Sequence, residues 1–254
     1  MRNFQIDNNN KQITFSDNRF YTSGEDEAVF VPSVTTILQA YPKDAHFFSW
    51  LKEVGDKADE IRDEAGRRGS VVHNMTERYD NGEELTLLSD DGKLDFKLSE
   101  WAMFERYVEF GQRNPYSVIH SEVNIINEKL GYAGTMDRVI KMGNKKVLID
   151  IKTSNTIYEH YWLQLAAYHK LYTIEMLDSK AITDVAILWL NAKIRTYGNE
   201  KKGDIQGPGW QLIFRDKLQM KKDMALFDAV HKLWLHQNEG IKPRVSTYKL
   251  SHKK

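Results

Sequence analysis

Asp137, Asp150 and Lys152 stand within one short segment, Gly131–Ser154, which reads GYAGTMDRVIKMGNKKVLIDIKTS. Gly143-Asn144 is a good two-residue hairpin tip, and pairing about it sets Met142 against Lys145 and Asp137 against Asp150. Directly opposed residues share a sheet face, with Cβ atoms roughly 4.5–5.5 Å apart. Lys152, two residues beyond Asp150, projects from that same face. Two carboxylates held so close repel by on the order of 3 kcal/mol at an effective dielectric of about 20. Folding alone gives no reason to keep them. A divalent cation such as Mg²⁺ or Mn²⁺ reverses the sign, because hard oxygen ligands bind it and it offsets both charges. An adjacent lysine could then touch a phosphate or orient a water, which completes the parts for metal-assisted phosphodiester hydrolysis. The competing reading is an edge-strand ion pair between Asp150 and Lys152, with Asp137 at the surface. The apolar flanks Val147-Leu148-Ile149 and Ile151 weigh against it, since they mark a buried strand where unpaired charge is costly.

Three further groups could serve such a site. His73, on a helix-like segment with Glu77 one turn later, could supply a nitrogen ligand or be a satisfied helix histidine. Gln164 and Tyr168 form an i, i+4 pair on the helix that follows Lys152. They could reach Lys152 or a phosphate, or simply form the polar side of a packed helix. Ser33 and Thr35 open a helix after Pro32, where hydroxyls and free N–H groups could bind phosphate or where Ser33 is a plain N-cap. Arg67, Arg68 and Arg138 lie close in sequence to the candidate ligands and are phosphate candidates. Aromatic faces could stack unpaired bases, with Tyr132 and Trp162 nearest the motifs.

The elements that must position these residues follow from periodicity. Residues 12–22 alternate weakly, as a short hairpin does, and the helix opened at Ser33 ends at Pro42. Phe47, Phe48, Trp50 and Leu51 fit one face of a second short helix. Residues 56–80 are helical in character, interrupted at Gly66 and Gly69, and 80–96 form a loop. Helical spacing resumes over 98–110. Val118–Ile126, Tyr132–Met142 and Lys146–Lys152 then read as an antiparallel meander. A helix over 158–175, strands over 185–190 and 210–214, and an amphipathic helix over 217–236 carrying Met220, Leu226, Val230, Leu233 and Trp234 complete the pattern. This order gives an α/β core with a mixed sheet.

Composition bounds the function classes. The 254 residues are 41% hydrophobic and 28% charged, which is ordinary for a globular chain and too apolar for a disordered one. The absence of cysteine removes disulfides, thiolate metal sites, cysteine nucleophiles and iron–sulfur clusters together. No apolar run is long enough to span a membrane and the first residues lack a signal-peptide core, so a cytoplasmic protein without a membrane partner is expected. The net charge of zero hides a split. Residues 180–254 carry 15 basic and 7 acidic side chains, and residues 1–179 carry 21 and 29. The neutral total therefore leaves room for a polyanionic partner.

Gly-x-x-Val-His (69–73), Gly-Thr-Met-Asp-Arg-Val (134–139), Leu-Ile-Asp-Ile-Lys-Thr-Ser (148–154) and Gln-Leu-x-x-Tyr (164–168), in that order, resemble the PD-(D/E)XK nuclease superfamily, RecB-like branch. The N-terminal Pro-Ser-Val-Thr-Thr-Ile-Leu and the Trp-containing helix after it are similar to a narrower group, the phage exonucleases and the mitochondrial genome maintenance exonuclease. Aspartate fills the acidic slot of the (D/E)-x-K motif here. The resemblance implies a restriction-endonuclease-like core with a mixed central sheet flanked by helices. It implies one domain over 1–254, with a helical N-terminal elaboration (1–115), the nuclease core (116–195) and a C-terminal strand, helix and basic tail (196–254). It makes His73, Asp137, Asp150 and the backbone carbonyl of Ile151 ligands of Mg²⁺ or Mn²⁺, Lys152 the catalytic lysine, and Gln164 and Tyr168 its accessory pair. Glu122 is a further nearby acid. The implied activity is that of a metal-dependent DNA exonuclease acting on single strands or ends, phage-encoded in origin and working beside a recombination or replication partner. A structure-specific endonuclease and a non-catalytic DNA-binding module are the alternatives.

Overall fold

The structure, a computed structural model, describes residues 4–7, 12–15, 18–22, 30–175, 182–192 and 209–241. The chain is α/β, built on a five-stranded mixed sheet. Four short strands come first: β1 (Phe4–Asp7), β2 (Gln12–Phe15), β3 (Asn18–Thr22) and β4 (Phe30–Pro32), an antiparallel sheet of their own. Helices α1 (Val34–Ile37), α2 (Ala45–Val54), α3 (Ala58–Asp80) and α4 (Leu98–Arg113) follow. The main sheet then runs β5 (Ser117–Asn127), β6 (Tyr132–Met142), β7 (Lys145–Lys152), β8 (Asp184–Ala192) and β9 (Gly209–Arg215), in that spatial order. Helix α5 (Glu159–Glu175) links β7 to its parallel neighbour β8, and α6 (Lys217–Gln237) closes the described chain. All other pairings are antiparallel.

Strand β7 explains the layering. Buried on both faces, it reads as a nearly continuous apolar run. Val147, Ile149 and Ile151 pack with Val72 of α3 and with Met103, Tyr107 and Phe110 of α4. Leu148 packs on the other side with Leu163, Leu165 and Leu171 of α5 and Phe227, Val230 and Trp234 of α6. Helices thus cover both faces. Among the described residues no helix is long and apolar enough to cross a membrane.

The expected hairpin register is observed: Met142 pairs Lys145 and Arg138 pairs Ile149. Gly143 has φ +58 and Asn144 is not left-handed, the pattern of a type II′ turn with glycine first. Several details differ from expectation. α3 is continuous through Gly66 and Gly69, because burial of Val72, Met75 and Thr76 outweighs a penalty of about 1 kcal/mol per glycine. The N-terminal stretch, expected to be mainly helical beyond a short hairpin over 12–22, contributes a four-stranded sheet in which β2 and β3 form that hairpin. In α6, Leu226 and Leu233 are exposed while Phe227, Val230 and Trp234 are buried, so the apolar stripe is rotated from the expected one. The basic tail beyond Ile241 lies outside the described residues.

Candidate functional site

The ligand atoms of His73, Glu122 and Asp137 all lie within 4.8 Å of one another. His73 comes from α3, Glu122 from β5 and Asp137 from β6. His73 Nδ1 is 3.6 Å from Asp137 Oδ1 and 4.0 Å from Glu122 Oε1. The other imidazole nitrogen, Nε2, lies 3.0 Å from the Ile151 carbonyl oxygen. If Nε2–H donates that bond, the tautomer is fixed and the Nδ1 lone pair faces the two acids. The Ile151 amide donates to Asp137 Oδ2 at 2.7 Å, so the backbone N–H and C=O of one β7 residue orient both side chains. The Ile151 carbonyl, expected among the ligands, is here the acceptor opposite His73.

Asp150 stands outside this three-residue set. Its side chain is 2% exposed, and Lys152 Nζ lies 2.6 Å from its Oδ2 as a close ion pair. Oδ1, the other carboxylate oxygen, has no hydrogen-bond partner among the described residues. Burial, in the first place, and the charge of Asp137 push the Asp150 carboxyl up, against the pull of Lys152. Lys152 donates to Gln164 Oε1 at 3.1 Å, and Gln164 Nε2 donates to the Tyr168 hydroxyl at 3.1 Å. The Lys152 ammonium also sits 4.4 Å over the Tyr161 ring. The i, i+4 pair therefore reaches the lysine instead of lining solvent.

Glu122 is the residue that spacing arguments underweighted. It lies opposite Asp137, between the pairs Ser121–Arg138 and Val123–Met136, and has φ +47. A left-handed φ costs a residue with a Cβ roughly 1–2 kcal/mol. Burial and the neighbouring Asp137 raise its carboxyl to about 7. Its holder is Arg138, whose Nη1 donates to Glu122 Oε1 at 3.3 Å and to the Asp137 carbonyl at 2.7 Å. Arg138 is 1% exposed, and its Nε donates to Asp80 Oδ2 at 2.7 Å. The Tyr107 and Tyr116 hydroxyls donate to the same Asp80 carboxylate at 2.6 and 2.9 Å. This corrects the expectation that Arg138 contacts phosphate: the guanidinium is enclosed and bound to acids and a carbonyl. Asp80 was legible in part, since it follows His73 by two turns on α3 (seven residues) and so shares its stripe.

The other candidates divide. Arg67 pairs with Glu64 and Glu100 while its side chain stays 42% exposed. Arg68 is half-buried and keeps an enclosed Nε with no acceptor among the described residues. Ser33 is 2% exposed and caps α1 by accepting from the Thr36 amide at 3.0 Å, so it is an N-cap and not a phosphate contact; Thr35 is exposed. Tyr132 and Trp162 are buried at 1% and 5% and cannot stack on a substrate.

Gly134 shows why the Gly-Thr-Met-Asp run begins with glycine. A Cβ there would stand 2.3 Å from Tyr168 Cε1. The buried Tyr168 ring, which anchors Gln164, has no room to yield. Gly134→Ala is expected to cost about 1–3 kcal/mol in urea denaturation through overpacking and to loosen the Lys152 contact with Gln164. An unchanged midpoint would show that α5 shifts freely.

The donor set fits a divalent cation. A nitrogen and two carboxylates converge, and a third carboxylate nearby is buried with one oxygen, Oδ1, unpartnered among the described residues. A stability test follows from the raised carboxyls. An acid whose pKa is higher folded than unfolded favours the fold in its neutral form. That stability is present below the unfolded value and is lost as pH rises towards the folded one. Chelated protein should therefore lose on the order of 2 kcal/mol between about pH 5 and pH 7.5. Mn²⁺ should abolish the slope. Thermal melts at several pH values, with chelator and with metal, check this; a flat chelated profile counts against shared burial of these acids.

No family model and no curated protein matches the chain. Among solved structures it is similar to a provisionally named exonuclease from Eubacterium rectale, at 16% identity and TM-score 0.42 over 74% of this chain and 77% of that one. It is also similar to an alkaline exonuclease from Laribacter hongkongensis, at 11% identity and TM-score 0.37 over 81% of this chain and 88% of the other. The reading of function therefore rests on the side chains described above.

Proposed function

We propose that the chain is a divalent-metal-dependent nuclease that hydrolyses DNA phosphodiesters as an exonuclease on single-stranded or end-exposed DNA. The observation that carries this reading is the convergence of His73, Glu122 and Asp137 beside a buried Asp150–Lys152 ion pair. His73, Asp137 and Glu122 would hold Mg²⁺ or Mn²⁺, with Asp150 and the Ile151 carbonyl at its margin. A cation bound there would supply Lewis acidity and an acidified water.

The chain's own residues do the remainder. The backbone N–H and C=O of Ile151 hold Asp137 and His73. Asp150 and Gln164 hold the Lys152 ammonium in one place, ready to orient a nucleophilic water or to stabilise charge that develops on the phosphoryl oxygens. Burial at 16% exposure keeps that charge poorly screened. Arg67, 42% exposed, and the half-buried Arg68 are the arginines placed to meet a neighbouring phosphate.

An assay on linear single-stranded, linear duplex and circular single-stranded DNA, with Mg²⁺, Mn²⁺ or chelator, tests the reading. Metal-dependent loss of linear strands with circles intact is expected. Cleavage of circles would replace exonuclease with endonuclease. Tight DNA binding without cleavage under any metal would leave a binding module.

A further inference from the structure

Helix α2 carries Phe47, Phe48, Trp50, Leu51 and Val54, yet none of its residues is buried. An apolar stripe of this kind ordinarily faces a core. Here Phe47, Trp50, Leu51 and Val54 are only half-buried, and Phe48 is 53% exposed. The helix is nonetheless well formed: Asp44 caps it by accepting from the Phe47 amide at 2.8 Å.

Two groups of rings, one beside Lys152 and one on this helix, are linked through Lys43. The ammonium rests on Tyr161 at 4.4 Å, and Tyr161 meets His160 edge-on with centroids 4.7 Å apart. His160 stacks on Tyr158 at 5.5 Å and leans on Tyr41 at 6.3 Å. Tyr158 is 45% exposed. Two residues after Tyr41, Lys43 lies 5.7 Å over the Phe47 ring, and Phe47 meets Trp50 at 5.9 Å and Phe48 at 5.7 Å. Lysines thus stand at both ends of the His160 cluster. Burial and the charges of Lys43 and Lys152 lower His160 to about 4, so near neutral pH it offers an uncharged ring and not a phosphate contact.

We infer that this run, from Tyr161 through Tyr158 to Phe48 and Trp50, is a stacking track that carries an unpaired DNA strand to Lys152. The inference rests on the nuclease reading, and it specifies which face of the molecule the strand crosses. Rings interleaved with ammonium groups match a polymer of alternating bases and phosphates. Every base has a π-face, so such a track accepts any sequence. A duplex, whose bases are already stacked, has none to offer. A peptide or a second copy of the chain could also cover an apolar helix, but neither explains why the run starts on the amine at the proposed reaction centre.

The test uses fluorescence anisotropy in Ca²⁺, chosen to hold the site without turnover. The probes are a labelled thymidine oligonucleotide and its abasic counterpart, which keeps the phosphates and lacks the bases. Wild-type protein should bind the thymidine strand about tenfold tighter or more. Tyr158→Ala and Phe48→Ala, both at exposed positions, should each erase much of that preference while binding the abasic strand as wild type does. Both should hydrolyse a small phosphodiester, bis(p-nitrophenyl) phosphate, at the wild-type rate. Equal wild-type affinity for the two strands would overturn the track, as would variants that lose affinity for both strands alike. Self-association of wild type that these variants abolish would assign the face to a second copy instead. Failure of wild type to hydrolyse any phosphodiester with Mg²⁺ or Mn²⁺ is a separate result. It would refute the nuclease reading and leave the base preference to be judged by the anisotropy alone.

Discussion

Lys152→Ala is expected to lower DNA cleavage by about a thousandfold, in the range found when one preorganised charge or proton donor is removed from a reaction centre. The side chain touches none of the three converging ligands, so Mn²⁺ binding measured by calorimetry should stay within a few-fold of wild type. What changes is local: Asp150 loses its partner, and Gln164 and Tyr168 lose the group they orient. A loss of stability in chelator of roughly 3 kcal/mol, relieved by metal, should accompany the loss of turnover. Cleavage within tenfold of wild type, in a preparation free of contaminating nuclease, would remove Lys152 from the mechanism.

Arg138→Met is the second large effect, and it acts on folding as well as on the site. Removing one partner of a buried ion pair leaves the other charge uncompensated, at roughly 3–5 kcal/mol. Asp80 would keep two tyrosine hydroxyls as donors, which argues for the lower end, about 3 kcal/mol in urea denaturation. Glu122 would lose the guanidinium that holds its carboxylate, so Mn²⁺ should bind at least tenfold more weakly. The double variant Asp80→Asn, Arg138→Met separates the two roles. With neither charge buried, it should recover much of the stability while metal binding stays weak. If metal affinity returned together with stability, Arg138 would be a folding residue alone.

These expectations rest on features of unequal legibility in the sequence. The strands and helices around Asp137 and Asp150 could be read because each has a strong period: the hairpin register is pinned by one Gly-Asn turn, and β7 by an apolar run interrupted only by Asp150. The pairing of Gln164 with Tyr168 follows from helical geometry. Lys152 shares a face with Asp150 for an equally local reason, the two-residue repeat of a strand. Where local periodicity sets a position, the residues declare it.

Sheet-to-helix contacts were not legible. Arg67, Arg68 and Arg138 look alike in a sequence, because arginine's long side chain can reach solvent, an acid or a phosphate with equal ease. Only packing decided that Arg67 pairs with Glu64 and Glu100, that Arg138 is enclosed by Asp80 and Glu122, and that Arg68 retains a donor. The same holds for aromatics: Tyr132 and Trp162 went inward, while Tyr158 and Phe48 stayed out.

By itself, then, the sequence determined the α/β order, the β6–β7 register and the acid–lysine pair on β7, since each depends on neighbours a few residues apart. Which acids converge was a tertiary decision. Glu122 joins His73 and Asp137 through a left-handed backbone turn and a buried guanidinium 16 residues away, while Asp150 turns to its lysine. Convergence of that kind depends on how α3 lies across the sheet, and no spacing along the chain encodes it.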